Sequence, residues 1–291
     1  MIIMKSLLRL AVLALFTIFQ SCKDAAPKAV SNDQTTAQIS LNSTIEDSLL
    51  NGRMQQIGNN FRSAVSNETK GKWLQEGIEL SGLDGKESFK DVFVKELLKL
   101  NPAHPHAADY LWYLAERLRE MGSVENASLI YMGFKHRFSS DPRSKEAGKY
   151  ILSEQKDIHK YIKGRFKKLK DIQQEDTKEH ENFEQLIEVF ALAFPYDAAC
   201  PGFLISMAEV CGKAGNISGM VANLDWVYQY YPKSKEAPMA LFLKGFYFEN
   251  HFDKKAEAAD VYQLFLKKYP AHSLTKDVSH LIKDLKISSG N

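Results

Sequence analysis

Residues 231–270 read YPKSKEAPMALFLKGFYFENHFDKKAEAADVYQLFLKKYP, and this stretch decides the fold. A Tyr-Pro pair stands at each end, Tyr231-Pro232 and Tyr269-Pro270. Proline cannot continue a helix and pushes the preceding residue out of the helical region, so both pairs act as stops. Between them the pattern predicts two helices. Tyr262, Phe265 and Tyr269 recur at three and four residues and so line one buried face of the second. Gly245 marks where the two helices approach too closely for a larger side chain.

Working outward, the same plan recurs. Ala115 and Ala208 occupy the place of Gly245, and a helix-ending glycine, Gly122 or Gly215, follows each by seven residues where the third segment has Phe252. Phe138 and Tyr231 come sixteen residues after those glycines, and Tyr269 comes seventeen after Phe252. The stretch Ser144-Lys-Glu-Ala147 returns letter for letter as Ser234-Lys-Glu-Ala237, each predicted to open a helix. Ala208 and Gly245 are 37 residues apart, close to a helix-turn-helix unit of about 34. The spacing predicts an all-α, helix-turn-helix solenoid of about five pairs: 46–100, 105–139, 145–194, 197–231 and 235–269. A helix at 273–286 then caps the apolar end, as solenoids require.

These segments resemble the tetratricopeptide repeat, well over 197–270 and more loosely over 105–147. The closing one is similar to repeats of envelope proteins such as the Tol-Pal-associated coordinator family and the BamD-type outer-membrane assembly lipoproteins. The resemblance implies a groove that holds envelope proteins or peptides. It names an architecture and leaves the partner open, because such repeats serve many partners.

The amino terminus carries its own signal. Lys5 and Arg9 precede an uncharged ten-residue run, Leu10 to Phe19. A bilayer core needs about 20 apolar residues, so the run fits a secretory signal rather than a span. It ends in Gln20-Ser21-Cys22, which resembles a lipobox, with Phe19 and Gln20 departing from the usual leucine and small residue. The expectation is a signal peptide over 1–21, lipidation at Cys22, a Ser/Thr/Asn/Gln-rich flexible tether over 22–44, and a repeat domain over 45–291. Three acyl chains would anchor the protein firmly. The default location is the periplasmic face of the outer membrane, with Lys23-Asp24 raising the cell surface as a further possibility.

Composition narrows the partners. Of 291 residues, 44% are hydrophobic and 25% charged, as in an ordinary globular chain. Removing 1–21 takes away Lys5 and Arg9 and brings the net charge from +2 to zero, which excludes nucleic acid as an expected partner. Cys200 and Cys211 are eleven residues apart on one predicted helix. That is about 16 Å, too far for a disulfide needing Cα atoms within about 7 Å, so both read as buried apolar residues.

No phosphate-binding glycine loop, serine elbow or zinc-spaced ligand set is present, so no catalysis, cofactor or metal is expected. His104 and His106 flank Pro105 in a predicted loop, and His180 reads as a solvated helix residue. The sharpest surface feature is a lysine stripe, Lys156, Lys160, Lys163, Lys167 and Lys170, on one helix face. It fits an anionic partner. It also fits a solvated face that the acidic run Asp171, Glu175, Asp176, Glu179, Glu181 and Glu184 partly neutralises. Phe242, Phe246, Tyr247, Phe248 and Phe252 crowd one helix, mostly as core, with one or two left for the groove.

Together these readings predict a membrane-anchored, protein-binding scaffold in outer-membrane or cell-wall biogenesis. The alternative is a surface lipoprotein that captures a glycan or other nutrient.

Overall fold

A computed structural model of the chain describes residues 52–82, 87–171 and 177–289. Every regular element among them is a helix, so the fold is all-α and built from helix-turn-helix hairpins. The signal segment, Cys22 and the tether lie outside the described residues. Among the described residues no helix is long and apolar enough to cross a membrane. They form two compact units, one ending at Tyr110 and one starting at Leu111.

The first unit holds helices α1 (52–63), α2 (Asn67–Leu80) and α3 (Glu87–Leu100). The predicted pair over 46–100 is therefore three helices. Ser66 is the reason: its hydroxyl accepts the Thr69 N–H at 3.1 Å and caps a new helix shortly after α1 stops. Met54, Ile57, Leu74, Ile78, Val94 and Leu97 form the core. Gly77 lets α2 meet the Phe93 ring, which a Cβ there would approach to 2.8 Å.

Most of helix α4 (Ala107–Glu120) belongs to the second unit. There follow α5 (Val124–Arg137), a single turn α6 (Ser144–Ala147), α7 (Ile158–Asp171), α8 (Thr177–Ala193), α9 (Cys200–Lys213), α10 (Ile217–Tyr230), α11 (Glu236–Asn250), α12 (Lys255–Lys268) and α13 (Thr275–Ser289). From α9 to α13 each helix lies against the next, and α9 also meets α11. Helix α8 packs on both α5 and α9. The predicted closing helix is α13, which lays Val278, Ile282 and Leu285 onto the stack.

The repeat spacing is visible in the backbone. Phe138, Tyr231 and Tyr269, aligned by sequence, share one conformation, with φ and ψ of −122° and 48°, −121° and 47°, and −129° and 55°. Each donates its N–H to the carbonyl four residues back. Gly122 and Gly215 close α4 and α9 with φ of +76° and +73°, where only glycine is free of strain. In the third hairpin Asp253, one place beyond Phe252, takes that role at φ 49°, a conformation aspartate tolerates.

The third predicted pair, 145–194, needs correction, because no continuous helix runs on from Ser144. Ser144–Ala147 makes one turn, and two 3-10 turns, Gly148–Tyr150 and Ser153–Gln155, precede α7. A buried polar pair, Ser128 and Gln155, holds this path. The Ser128 hydroxyl donates to Gln155 at 2.6 Å and accepts the Leu152 N–H at 2.8 Å, while the Gln155 amide donates to the Glu125 carbonyl at 3.0 Å. Its twin at Ser234–Ala237 is followed by the apolar run of α11, which continues the helix.

Candidate functional site

Two surfaces of the second unit carry the candidate residues. One is made by α9 and α11, the first helices of successive hairpins. They lie side by side because Gly212 leaves room for Tyr247, whose ring a Cβ at 212 would reach at 2.5 Å. Of the five predicted aromatics, Tyr247 and Phe248 are core. Phe242 and Phe252 are half-buried, and Phe246 remains 38% exposed. Phe242 and Phe246 stack with centroids 6.3 Å apart. Met239 is 37% exposed and stands seven residues before Phe246, on the same face of α11. In stacked helix pairs, outward apolar side chains on first helices are what an extended peptide or a partner helix packs against.

The other surface is α7, whose faces are sharply divided. Ile162 and Leu169 are buried in the unit. On one flank, Tyr161 donates its hydroxyl to Glu125, and Arg165 pairs with Glu179 at 2.5 Å and with Glu125 at 3.5 Å. Both desolvation and the Glu125 carboxylate push the Tyr161 hydroxyl up to about 12. On the other flank His159 meets Asp197 at 2.9 Å and lies against Phe190 and Phe203. The face opposite the core carries Lys156, Lys160, Lys163 and Lys167, all exposed and, among the described residues, without a carboxylate within ion-pair distance. Lys156 lies two residues before α7 with helical backbone angles, φ −54° and ψ −36°, so it extends the row. Lys170 is in α7, and its side chain lies outside the described residues.

Of the acidic run, Glu175, Asp176 and the Asp171 side chain lie outside the described residues, and two of the described members are engaged away from these lysines. Glu179 goes to Arg165, and Glu184 turns into the unit, where Asn216 and Asn223 donate to it at 3.3 Å each. Burial, then the nearby Glu188 carboxylate, raises the Glu184 pKa above the usual carboxylate value. Asp157 caps α7 through the Lys160 N–H at 3.0 Å.

The remaining candidates are structural. Cys200 and Cys211 are buried in α9. Burial pushes the Cys200 thiol up to about 12 and the Cys211 thiol upward as well. In protein carrying Cys22→Ala, neither should react with a maleimide until the chain is unfolded. Labelling of the native protein at the unfolded rate would contradict this packing. In the first unit, His104 uses Nδ1 to accept the His106 N–H at 3.2 Å, a turn bond, and packs on Tyr110. His180 is half-buried rather than fully solvated.

Sequence reasoning missed Lys244, which is 2% exposed and donates to Asp225 on α10 at 2.6 Å. A lysine within an otherwise apolar run was the available signal. Comparison with known protein families gave no match, and comparison with curated proteins gave none.

Proposed function

We propose that the chain is a lipid-anchored scaffold: Cys22 carries the acyl anchor, and tetratricopeptide-like hairpins hold envelope proteins or peptides during outer-membrane or cell-wall assembly. The observation that carries the reading is the outward pair Met239 and Phe246 on α11, beside α9. The lipobox-like Gln20-Ser21-Cys22 supplies the location. Partner binding there would cover apolar surface that is otherwise wet, at roughly 25 cal/mol per Å².

A photo-crosslinking residue at position 246 in bacterial cells tests it. The expected result is a discrete adduct with an envelope protein, lost when Met239 and Phe242 are changed to Ser. Equal adducts from exposed Gln229, on the second helix of a hairpin, or no adduct at all, would contradict the scaffold reading. Exposed aromatic surface also suits a glycan. Protease treatment of whole cells separates that second reading, because a surface protein is shaved and a periplasmic one protected.

A further inference from the structure

We propose that the lysine face of α7 is a docking surface for an anionic phospholipid membrane. Three observations carry the inference. The first is the segregation of charge around α7. Arg165 and His159 have carboxylate partners on the flanks, whereas Lys156, Lys160, Lys163 and Lys167 project from the face opposite buried Ile162 and Leu169 with no counter-charge among the described residues. The second is that four described carboxylates around the helix are engaged by other groups. Glu125 is held by Tyr161 and Arg165, Glu179 by Arg165, Asp197 by His159, and Asp157 by the helix amino terminus. Among the described residues the face therefore keeps its positive field, in a chain whose net charge is only +2.

The third is the chemistry of the face. The four lysines run from position 156 to position 167, about 16 Å along a helix. No aromatic or arginine stands among them, and a Cβ on the intervening Gly164 would meet nothing within 4 Å. A protein partner fastens on aromatic and arginine anchors in a desolvated centre, and lysine is depleted there. A lipid surface asks only for several mobile cations at one level, each contributing independently. The lipoprotein reading enters only as what brings the chain to a membrane, and the acyl anchor is tested apart from this face.

The experiment uses the full chain carrying Cys22→Ala, with vesicles of phosphatidylcholine and phosphatidylglycerol in equal parts and of phosphatidylcholine alone. Two triple variants of equal net charge are compared: Lys160→Glu, Lys163→Glu, Lys167→Glu on the face, and Lys145→Glu, Lys233→Glu, Lys267→Glu elsewhere on the surface. Circular dichroism checks that each remains helical, and a triple Gln variant of the face repeats the test without reversed charge.

The expected result is a loss of about a hundredfold in affinity for the anionic vesicles in both face variants, at about one factor of five per lysine. The control variant should lose far less, and raising the salt should weaken wild-type binding. Equal losses in the face and control variants would mean a general charge effect and would overturn the proposal. So would binding that ignores vesicle charge, or no change in any variant. Capture on polyglutamate that depends on the face, with none on phosphatidylglycerol, would assign it to an acidic protein and overturn the membrane proposal.

Discussion

Gly133→Ala is expected to destabilise the second unit by about 2 kcal/mol, although alanine is the better helix former by up to about 1 kcal/mol. The reason is the crossing of α5 and α8. A Cβ at 133 would stand 2.5 Å from the Ala193 Cβ, 2.6 Å from its carbonyl oxygen and 2.8 Å from its Cα. Two of those atoms are backbone, so no rotamer change relieves the clash and the helices must separate. Separation would also loosen the Arg137 bond to the Leu192 carbonyl, now 3.0 Å. Gly164→Ala is the matched control, because its Cβ would enter open space and should stabilise by about 0.5–1 kcal/mol. Urea midpoints of the two variants should move in opposite directions. A neutral or stabilising Gly133→Ala would mean that α5 and α8 do not cross this closely.

Lys244→Ala is expected to cost about 3 kcal/mol. The ammonium is nearly sealed from solvent and pairs with Asp225, itself only 18% exposed, so truncation leaves a carboxylate in a site that water reaches poorly. The ammonium also lies over the Phe248 ring, 5.9 Å from its centroid. Replacing both partners with apolar residues of similar volume, Lys244→Met with Asp225→Leu, removes the stranded charge and should restore most of the stability. If the double variant were as unstable as the single one, lost packing rather than an unpaired charge would explain the effect. That pair joins α11 to α10, so the single variant should also expose Phe248 and Val227 to hydrogen exchange earlier than the rest of the unit.

What the sequence made legible was whatever short-range chemistry dictates. Phe138, Tyr231 and Tyr269 could be aligned because a helix end and a following stop need the same local residues each time, and their shared backbone angles follow. Gly122 and Gly215 were readable for the same reason. The lysine face was visible as a period of 3.6. Its lack of a counter-charge among the described residues was not, because the pairing of Arg165 with Glu179 and Glu125 depends on how α5, α7 and α8 meet. Identical Ser-Lys-Glu-Ala stretches came apart because Ser128 and Gln155, both outside that stretch, are buried and bonded to each other. Ser66 split the first predicted pair through one side-chain cap, and capping serines are common enough that the signal is easily passed over. Which aromatic faces outward on α11 is likewise set by packing, since Tyr247 fills the space that Gly212 leaves and Phe246 does not.

The central claim is that this helical-repeat protein works from a membrane anchor at Cys22. Intact-mass analysis of the membrane fraction tests it most directly, comparing the protein expressed in a Gram-negative bacterium with its Cys22→Ala variant. The account predicts a chain that begins at Cys22 with a mass increase of triacyl size, and loss of both the modification and the membrane association in the variant. An unmodified protein in the soluble fraction in both cases would contradict it.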